Sequence, residues 1–402
     1  MLRRSHKKSR DGCLQCKRRH VKCDENRPRC RLCILSDRKC SFASLSTGDA
    51  SSQSMSPGDT RWTPPAGVQD STPLEPIVLV NREPRNRRTI NDRPLDVDEP
   101  INLLHTELLV HALLNDDMFS FAIGFEKFHR AGLAIGFEKA LKAPYLMHQV
   151  LAFAACHLAH LNPERSIYYR HQAVEMQTRA VSIFNAAQVQ VDQSNCVPIL
   201  LFSSMLGQHL LADTLARRDP GGIDSFITHY VQCVEMHRGI YTIATSAWSM
   251  LMETELEPIL SMSKSLTSRQ PNGEDTAQVS ALVESIDSMG EEEKQACRTA
   301  IHYLQIGLDA AQVEDNSPIS RYQMICEWTM LVPPLFTELL ASKRPVALIV
   351  LAHYAVLLHY GRHLWQVGDS GRYILHIIGT YLETGWDHWL EYPRERVLQD
   401  VE

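Results

Sequence analysis

Between residues 101 and 395 apolar positions recur at the three- and four-residue spacing of helices, and no stretch alternates apolar with polar residues as a half-buried strand would. The pattern predicts a large all-α domain. Asn162-Pro163-Glu164 reads as an N-cap, a first-turn proline and an acid suited to the positive end of a helix. In the helix that follows, Ile167, Val174 and Val181 recur at seven-residue intervals with Ala173, Ala180 and Phe184 beside them, which predicts one buried stripe. Val346 to Leu358 is apolar except for His353, and it is too short to span a bilayer, so it reads as a core helix. Prolines act as punctuation: none falls between Pro163 and Pro198, between Pro271 and Pro318, or between Pro345 and Pro393.

Upstream of residue 101 the pattern breaks. Residues 43–100 hold eight of the twenty prolines and the run STGDASSQSMSPGD. Such a stretch buries too little apolar surface to offset its ordering entropy and is expected to be a disordered linker. Arg82, Arg85, Arg87, Arg88 and Arg93 form a basic patch in it, read as solvated chain. No sustained heptad follows, so a dimer would have to form through the C-terminal domain. A short duplication, AIGFEK at 122–127 and again at 134–139, predicts one local hairpin or helix and not a solenoid.

In residues 13–40 cysteines take the place of apolar periodicity. They stand at Cys13, Cys16, Cys23, Cys30, Cys33 and Cys40, so the last three repeat the first three at an offset of seventeen. Zinc prefers four ligands in a tetrahedron and takes thiolate readily. Two separate ions would need more thiolates than are present, and the count closes if one cysteine of each half bridges both metals. A disulfide framework fits less well: the opening MLRRSHKKSR has no apolar signal segment, and the total of eleven cysteines is odd. A module this small cannot fold on apolar burial alone, so zinc should supply its folding free energy.

The stretch GCLQCKRRHVKCDENRPRCRLC resembles the fungal binuclear zinc cluster DNA-binding domain over residues 12–42. The resemblance implies that Cys13 and Cys30 bridge. One zinc would then hold Cys13, Cys16, Cys23 and Cys30, and the other Cys13, Cys30, Cys33 and Cys40. It also implies that a helix end enters the major groove. The base-reading run is then Lys17, Arg18, Arg19, His20 and Lys22, whose cations can donate to guanine O6 and N7. CGG triplets are often read by this family. His20 stands where many of its members carry lysine, and a neutral imidazole offers one donor.

The charge distribution changes the picture in the same direction. The whole chain has a net charge of −6, but residues 1–42 hold fourteen Lys plus Arg against four Asp plus Glu. Two zincs with six thiolates subtract two charges, leaving the module strongly cationic, the footprint of nucleic-acid binding. RRSHKKSR and KRR also suit a bipartite nuclear import signal.

The stretch PYLMHQVLAFAACHLAHLNPE and the segments from PVALIVLAHYAVLLHYGRHLWQVG to WDHWLEYPRERV are similar to the regulatory domain of sterol-uptake-control-type zinc cluster regulators. That resemblance implies a helical ligand-sensing and transcription-regulating unit; the identity of the ligand does not transfer with it. The helices at Val346 to Leu358 and Tyr373 to Leu390 are read as core, with the wall of a hydrophobic ligand cavity as the alternative. His353, His359 and His363 lack a supporting acid or thiol and read as helical histidines on a half-buried face. Cys156, Cys196, Cys233, Cys297 and Cys326 read as small buried hydrophobes. Glu291, Glu292 and Glu293 read as a solvated helix start or a coactivator contact.

The expected organisation is a basic arm (1–11), a zinc cluster (12–42), a linker (43–100), an all-α regulatory domain (101–395) and a tail (396–402). No phosphate loop, dinucleotide fingerprint, G-x-S-x-G or H-E-x-x-H is present, and Ser261-Met262-Ser263-Lys264 matches S-x-x-K alone, in what reads as a polar loop. An enzyme is therefore not expected. The expected protein is a nuclear transcription factor for RNA polymerase II genes. It carries two zinc ions, binds double-stranded DNA, contacts the transcription machinery, dimerises through its C-terminal domain and senses a hydrophobic small molecule. The alternative is a regulator specific to one secondary-metabolite gene cluster, with that domain serving only as an interaction platform.

Overall fold

The computed structural model describes residues 12–18, 21, 23–26, 30–31, 33, 39–42, 101–119, 125–187, 190–312 and 321–398, without the side chains of 125–131. Two compact units are present, Met1–Asp92 and Arg93–Glu402. The expected basic arm and linker lie outside the described residues, as does the start of the first AIGFEK copy. The second copy lies within a helix.

The first unit contains α1 (Leu14–Arg18) and the cysteine cluster. The second is all-α among its described residues. Its helices run α2 (Leu103–Leu114), α3 (Phe125–Lys142), α4 (Pro144–Leu161), α5 (Ser166–Ala187), α6 (Cys196–Ala216), α7 (Gly222–Ser246), α8 (Trp248–Leu251) and α9 (Glu257–Thr267). They continue with α10 (Ala277–Ser285), α11 (Glu291–Gln312), α12 (Gln323–Leu331), α13 (Pro334–Ala341), α14 (Pro345–Tyr360), α15 (Ser370–Tyr381) and α16 (Glu391–Leu398). Helix starts follow local chemistry. Asn102 Oδ1 accepts the His105 N–H at 3.0 Å, and Pro144, Pro334 and Pro345 occupy first-turn positions whose N–H would have no partner. Ser261 to Lys264, expected in a loop, lie in α9, because Pro258 opens a helix there. Glu291, Glu292 and Glu293 form the first turn of α11.

α14 is the axis of the larger core. Every residue from Val346 to His359 is buried, with α10, α11, α13, α15 and α16 packed around it. Trp328 of α12 stacks on Tyr354 at 4.3 Å between centroids and donates its indole N–H to the Ala300 carbonyl of α11 at 2.8 Å. The Tyr354 hydroxyl donates to the Ile325 carbonyl at 2.7 Å, so the ring that fills the core leaves no polar atom stranded. α15 crosses α14 with backbones nearly touching: a Cβ on Gly371 would lie 2.4 Å from the Ala355 carbonyl oxygen. Ile374, Leu375, Ile377 and Ile378 of α15 belong to the same core as Val346 to Leu358, so the two stretches pack as core helices. His353 and His359 are fully buried, more deeply than expected; His353 donates Nδ1–H to the Ile349 carbonyl at 2.9 Å and stacks on Tyr392. His363 is exposed in a turn, off any helix. Val397 has no exposed surface, so the helical unit continues past residue 395 into what the sequence suggests is a tail.

A second core surrounds α4, whose Ala152, Ala154 and Ala155 are fully buried. α5 packs along it through Tyr169, Ala173, Met176 and Ala180. This corrects the stripe expected from sequence: Ile167 is 87% exposed and Val174 62% exposed. Both faces of α5 carry a repeat of about 3.5 residues; the alanine-rich α4 allows close approach, which Ala173 and Ala180 can match and β-branched residues cannot. Asn162 also differs from expectation. Its side chain donates to the Leu158 carbonyl at 3.0 Å, closing α4, and a short 3-10 turn (Pro163–Arg165) precedes α5. α6 passes from this core to the first, with Phe202 in one and Leu215 in the other. By length and hydropathy α6 could cross a membrane, but its most apolar window is 56% buried inside the unit, as a core helix would be.

Candidate metal centre and nucleic-acid interface

The C-x2-C bite is closed by one helical turn. Lys17 N–H donates to the Cys13 carbonyl at 3.0 Å, starting α1, and Cys16 N–H reaches back to Cys13 Sγ at 3.4 Å. The second half repeats the start, with Cys33 N–H on the Cys30 carbonyl at 3.0 Å. Cross-strap hydrogen bonds repeat as well: Cys13 N–H donates to Cys23 Sγ and Cys30 N–H to Cys40 Sγ, both at 3.4 Å. The seventeen-residue sequence repeat is thus a pseudo-twofold in space.

All six cysteines are buried. Their sulfurs form two groups, Cys13, Cys16, Cys23, Cys30 and Cys13, Cys30, Cys33, Cys40, with every pair in a group within 4.8 Å. The groups share Cys13 and Cys30. Sulfur separations of 3.6 Å (Cys13 to Cys30 and to Cys33) and 3.7 Å (Cys16 to Cys30) far exceed a disulfide bond. They match the edge, about 3.8 Å, of a tetrahedron with Zn–S bonds of about 2.3 Å. Burial pushes the Cys16 thiol up to about 12 and raises Cys30 and Cys33 as well. Burial acts on Cys13 too, but hydrogen bonds from Cys16, Cys33 and Cys30 outweigh it and bring that thiol down to about 6. Thiols packed this closely resist ionising together, and a dication supplies the missing charge.

Contacts that the spacing of cysteines does not reveal close the module. Leu14 N–H donates to Ser41 Oγ at 2.9 Å and Ser41 N–H to Gln15 Oε1 at 3.0 Å, tying the two ends together over a buried Phe42. Both oxygens of Asp24 accept the Arg31 N–H at 3.1 Å, at the start of the second helical turn. The signal available in sequence is a short polar residue beside a ligand, too common to single out. Lys17 and Arg18 are exposed on the last turn of α1. Arg19, His20 and Lys22 lie outside the described residues. None of the described cysteines of the helical unit forms a disulfide; Cys196, Cys233 and Cys297 are buried, and Cys156 and Cys326 partly so.

Two sulfur tetrads sharing two members, beside an exposed cationic helix end, define a binuclear zinc cluster module. Residues 11–49 match the fungal Zn(2)-Cys(6) binuclear cluster domain, a domain that binds two zinc ions. A Zn(2)-C6 fungal-type transcription factor of Gibberella zeae is 22% identical over 97% of this chain and 86% of its own length. The Zn(2)-C6 fungal-type transcription factor afumD of Aspergillus fumigatus is 24% identical over 88% of this chain and 86% of its own. Sterol uptake control protein 2 of Saccharomyces cerevisiae is 46% identical over 43 residues, 11% of this chain and 5% of its own length. The first two of these relatives are transcription factors, which are not enzymes.

Proposed function

We propose that this chain, a zinc cluster transcription regulator, docks the end of α1 in the major groove of guanine-containing, CGG-like duplex elements and so controls RNA polymerase II genes from the nucleus. The observation that carries the reading is the pair of sulfur tetrads sharing Cys13 and Cys30 directly beside exposed Lys17 and Arg18. Cys13, Cys16, Cys23 and Cys30 hold one zinc, and Cys13, Cys30, Cys33 and Cys40 the other. The metals fix the cluster, and the cluster holds α1 rigid. Lys17, Arg18, Arg19, His20 and Lys22 then divide between guanine edges, which specify, and phosphates, which position. Residues 1–11 add nonspecific affinity and 43–100 add reach.

The helical unit is the regulatory part: it forms the homodimer, meets the transcription machinery and senses a hydrophobic ligand. Support for the dimer comes from α5, where Ile167 and Val174 present apolar surface at heptad spacing to solvent. The test is a mobility-shift titration of the zinc-loaded chain on a CGG-containing duplex. Lys17→Ala with Arg18→Ala should weaken binding at least tenfold on cognate DNA; unchanged affinity would remove α1 from the interface. Genome-wide occupancy of the tagged protein then separates lipid-related targets from a single biosynthetic cluster.

A further inference from the structure

The peptide Arg38-Lys39-Cys40-Ser41-Phe42 sets two cations three and two residues ahead of a hydroxyl. Basophilic protein kinases select that order, because acidic subsites beside their catalytic loop pair with cations at those positions. Lys39 is exposed and Ser41 half-buried, where the chain leaves the cluster for the segment expected to be linker.

The same hydroxyl has a structural task. Ser41 Oγ accepts the Leu14 N–H at 2.9 Å, and Ser41 N–H donates to Gln15 Oε1 at 3.0 Å, so this strap is pinned to the first residues of α1. Cys40, just before it, belongs to one sulfur tetrad, and Phe42, just after it, is buried against the cysteines. Two hydrogen bonds and one ring are too little to hold the strap without the metal. A kinase takes its substrate as an extended strand. The zinc-loaded module therefore hides a peptide that the metal-free module offers.

We propose that Ser41 is the phosphoacceptor of a basophilic protein kinase, modified while the Cys40 strap is open, and that its phosphate then lowers the affinity of the module for duplex DNA. In the transfer Ser41 Oγ bonds to the γ-phosphorus of ATP, the bond from that phosphorus to the β–γ bridging oxygen breaks, ADP leaves, and the hydroxyl proton passes to the base of the kinase. The group added carries a charge of about −1.5 to −2 near neutrality. Ser41 touches the first residue of α1, and Lys17 and Arg18 are in its last turn. At about 1.5 Å of rise per residue, Leu14 and Arg18 are about 6 Å apart along the axis. That is inside the screening length of about 8 Å at physiological ionic strength, so the phosphate opposes the attraction of these cations to a polyanion. For this consequence the proposal rests on the duplex-binding reading; the modification itself does not.

The test incubates the full chain, zinc-loaded or stripped with the zinc-selective chelator TPEN, with MgATP and the catalytic subunit of cyclic-AMP-dependent protein kinase, and counts phosphate at Ser41 by peptide mass spectrometry. The stripped chain should be modified at least tenfold faster, and Arg38→Ala with Lys39→Ala should slow it at least tenfold. Once zinc is restored, the phosphorylated chain should bind a CGG-containing duplex at least tenfold more weakly at physiological salt. Ser41→Glu should reproduce most of that loss, and Ser41→Gln, equally long and uncharged, should not; the gap between them should narrow as salt rises. No phosphate at Ser41, equal rates with and without zinc, or equal losses from the two variants would overturn the proposal. If the unmodified chain does not bind the duplex, the DNA reading falls and the phosphoacceptor assignment stands, since phosphate is counted without DNA.

Discussion

Cys30 and Leu357 are both fully buried, for opposite reasons. Cys30 is enclosed by other sulfurs in a module whose buried apolar side chains, apart from the cysteines, come down to Phe42 among the described residues. Leu357 sits in α14, a helix buried along nearly its whole length by neighbouring helices. In the first case burial follows from coordination, and in the second it is the driving force. Thirty residues cannot bury enough apolar surface to fold, whereas the helical unit can. The two regions should therefore fail under different insults.

Metal removal separates them most widely. A structural zinc contributes on the order of 10 kcal/mol or more, so chelation should unfold the cluster and cut duplex affinity more than a hundredfold. Circular dichroism should show the helices melting at an unchanged temperature; helices that melt with the cluster would end the distinction. A core deletion cuts the other way. Trp328→Ala removes a stacked, hydrogen-bonded ring and should cost about 3–5 kcal/mol of helical stability, while the zinc content by atomic absorption stays the same. Loss of zinc in that variant would show the two units to be energetically coupled.

The smallest effect is a pH dependence confined to the helical unit. Burial holds His209 neutral, pulling its pKa down to about 4, with a weaker opposing pull from Asp213. A histidine with a depressed native pKa binds more protons when unfolded, so its stabilising share is full above about 6.5 and is lost as pH falls toward 4. Between pH 7 and 5.5 that amounts to about 1 kcal/mol. His209→Gln should flatten the stability profile by this amount, read from denaturant unfolding at the two pH values; an unchanged slope would mean that His209 is reached by water in the native state.

The cluster is almost completely legible in sequence because its information is local and chemical. Six ligands at fixed spacing, a metal with one preferred geometry and a count that closes only by sharing leave little for tertiary context to change. The sharing of Cys13 and Cys30 by the two tetrads is the spatial form of that count. Asp24, Gln15 and Ser41 escape notice because a single polar side chain has many uses until its partner is known. In the helical unit the class of structure and the buried α14 are legible, since an apolar run as long as Val346 to Leu358 has nowhere else to go. The choice of face on α5 is not. Ile167 and Val174 are the more hydrophobic residues, yet Ala173 and Ala180 are inside because the partner helix is built of alanines.

By itself the sequence determined that a cationic, cysteine-ligated module precedes a large all-helical unit, because ligand spacing and helical periodicity are properties of neighbours along the chain. Only the tertiary structure decided which side of each helix is covered, that His353 and His359 lie inside, and that a cavity opens between α3, α6 and α9. Those outcomes depend on the shapes of surfaces brought together from distant parts of the chain, and a packed interior accepts the pair that fits most closely, whatever the ranking of its residues by hydrophobicity.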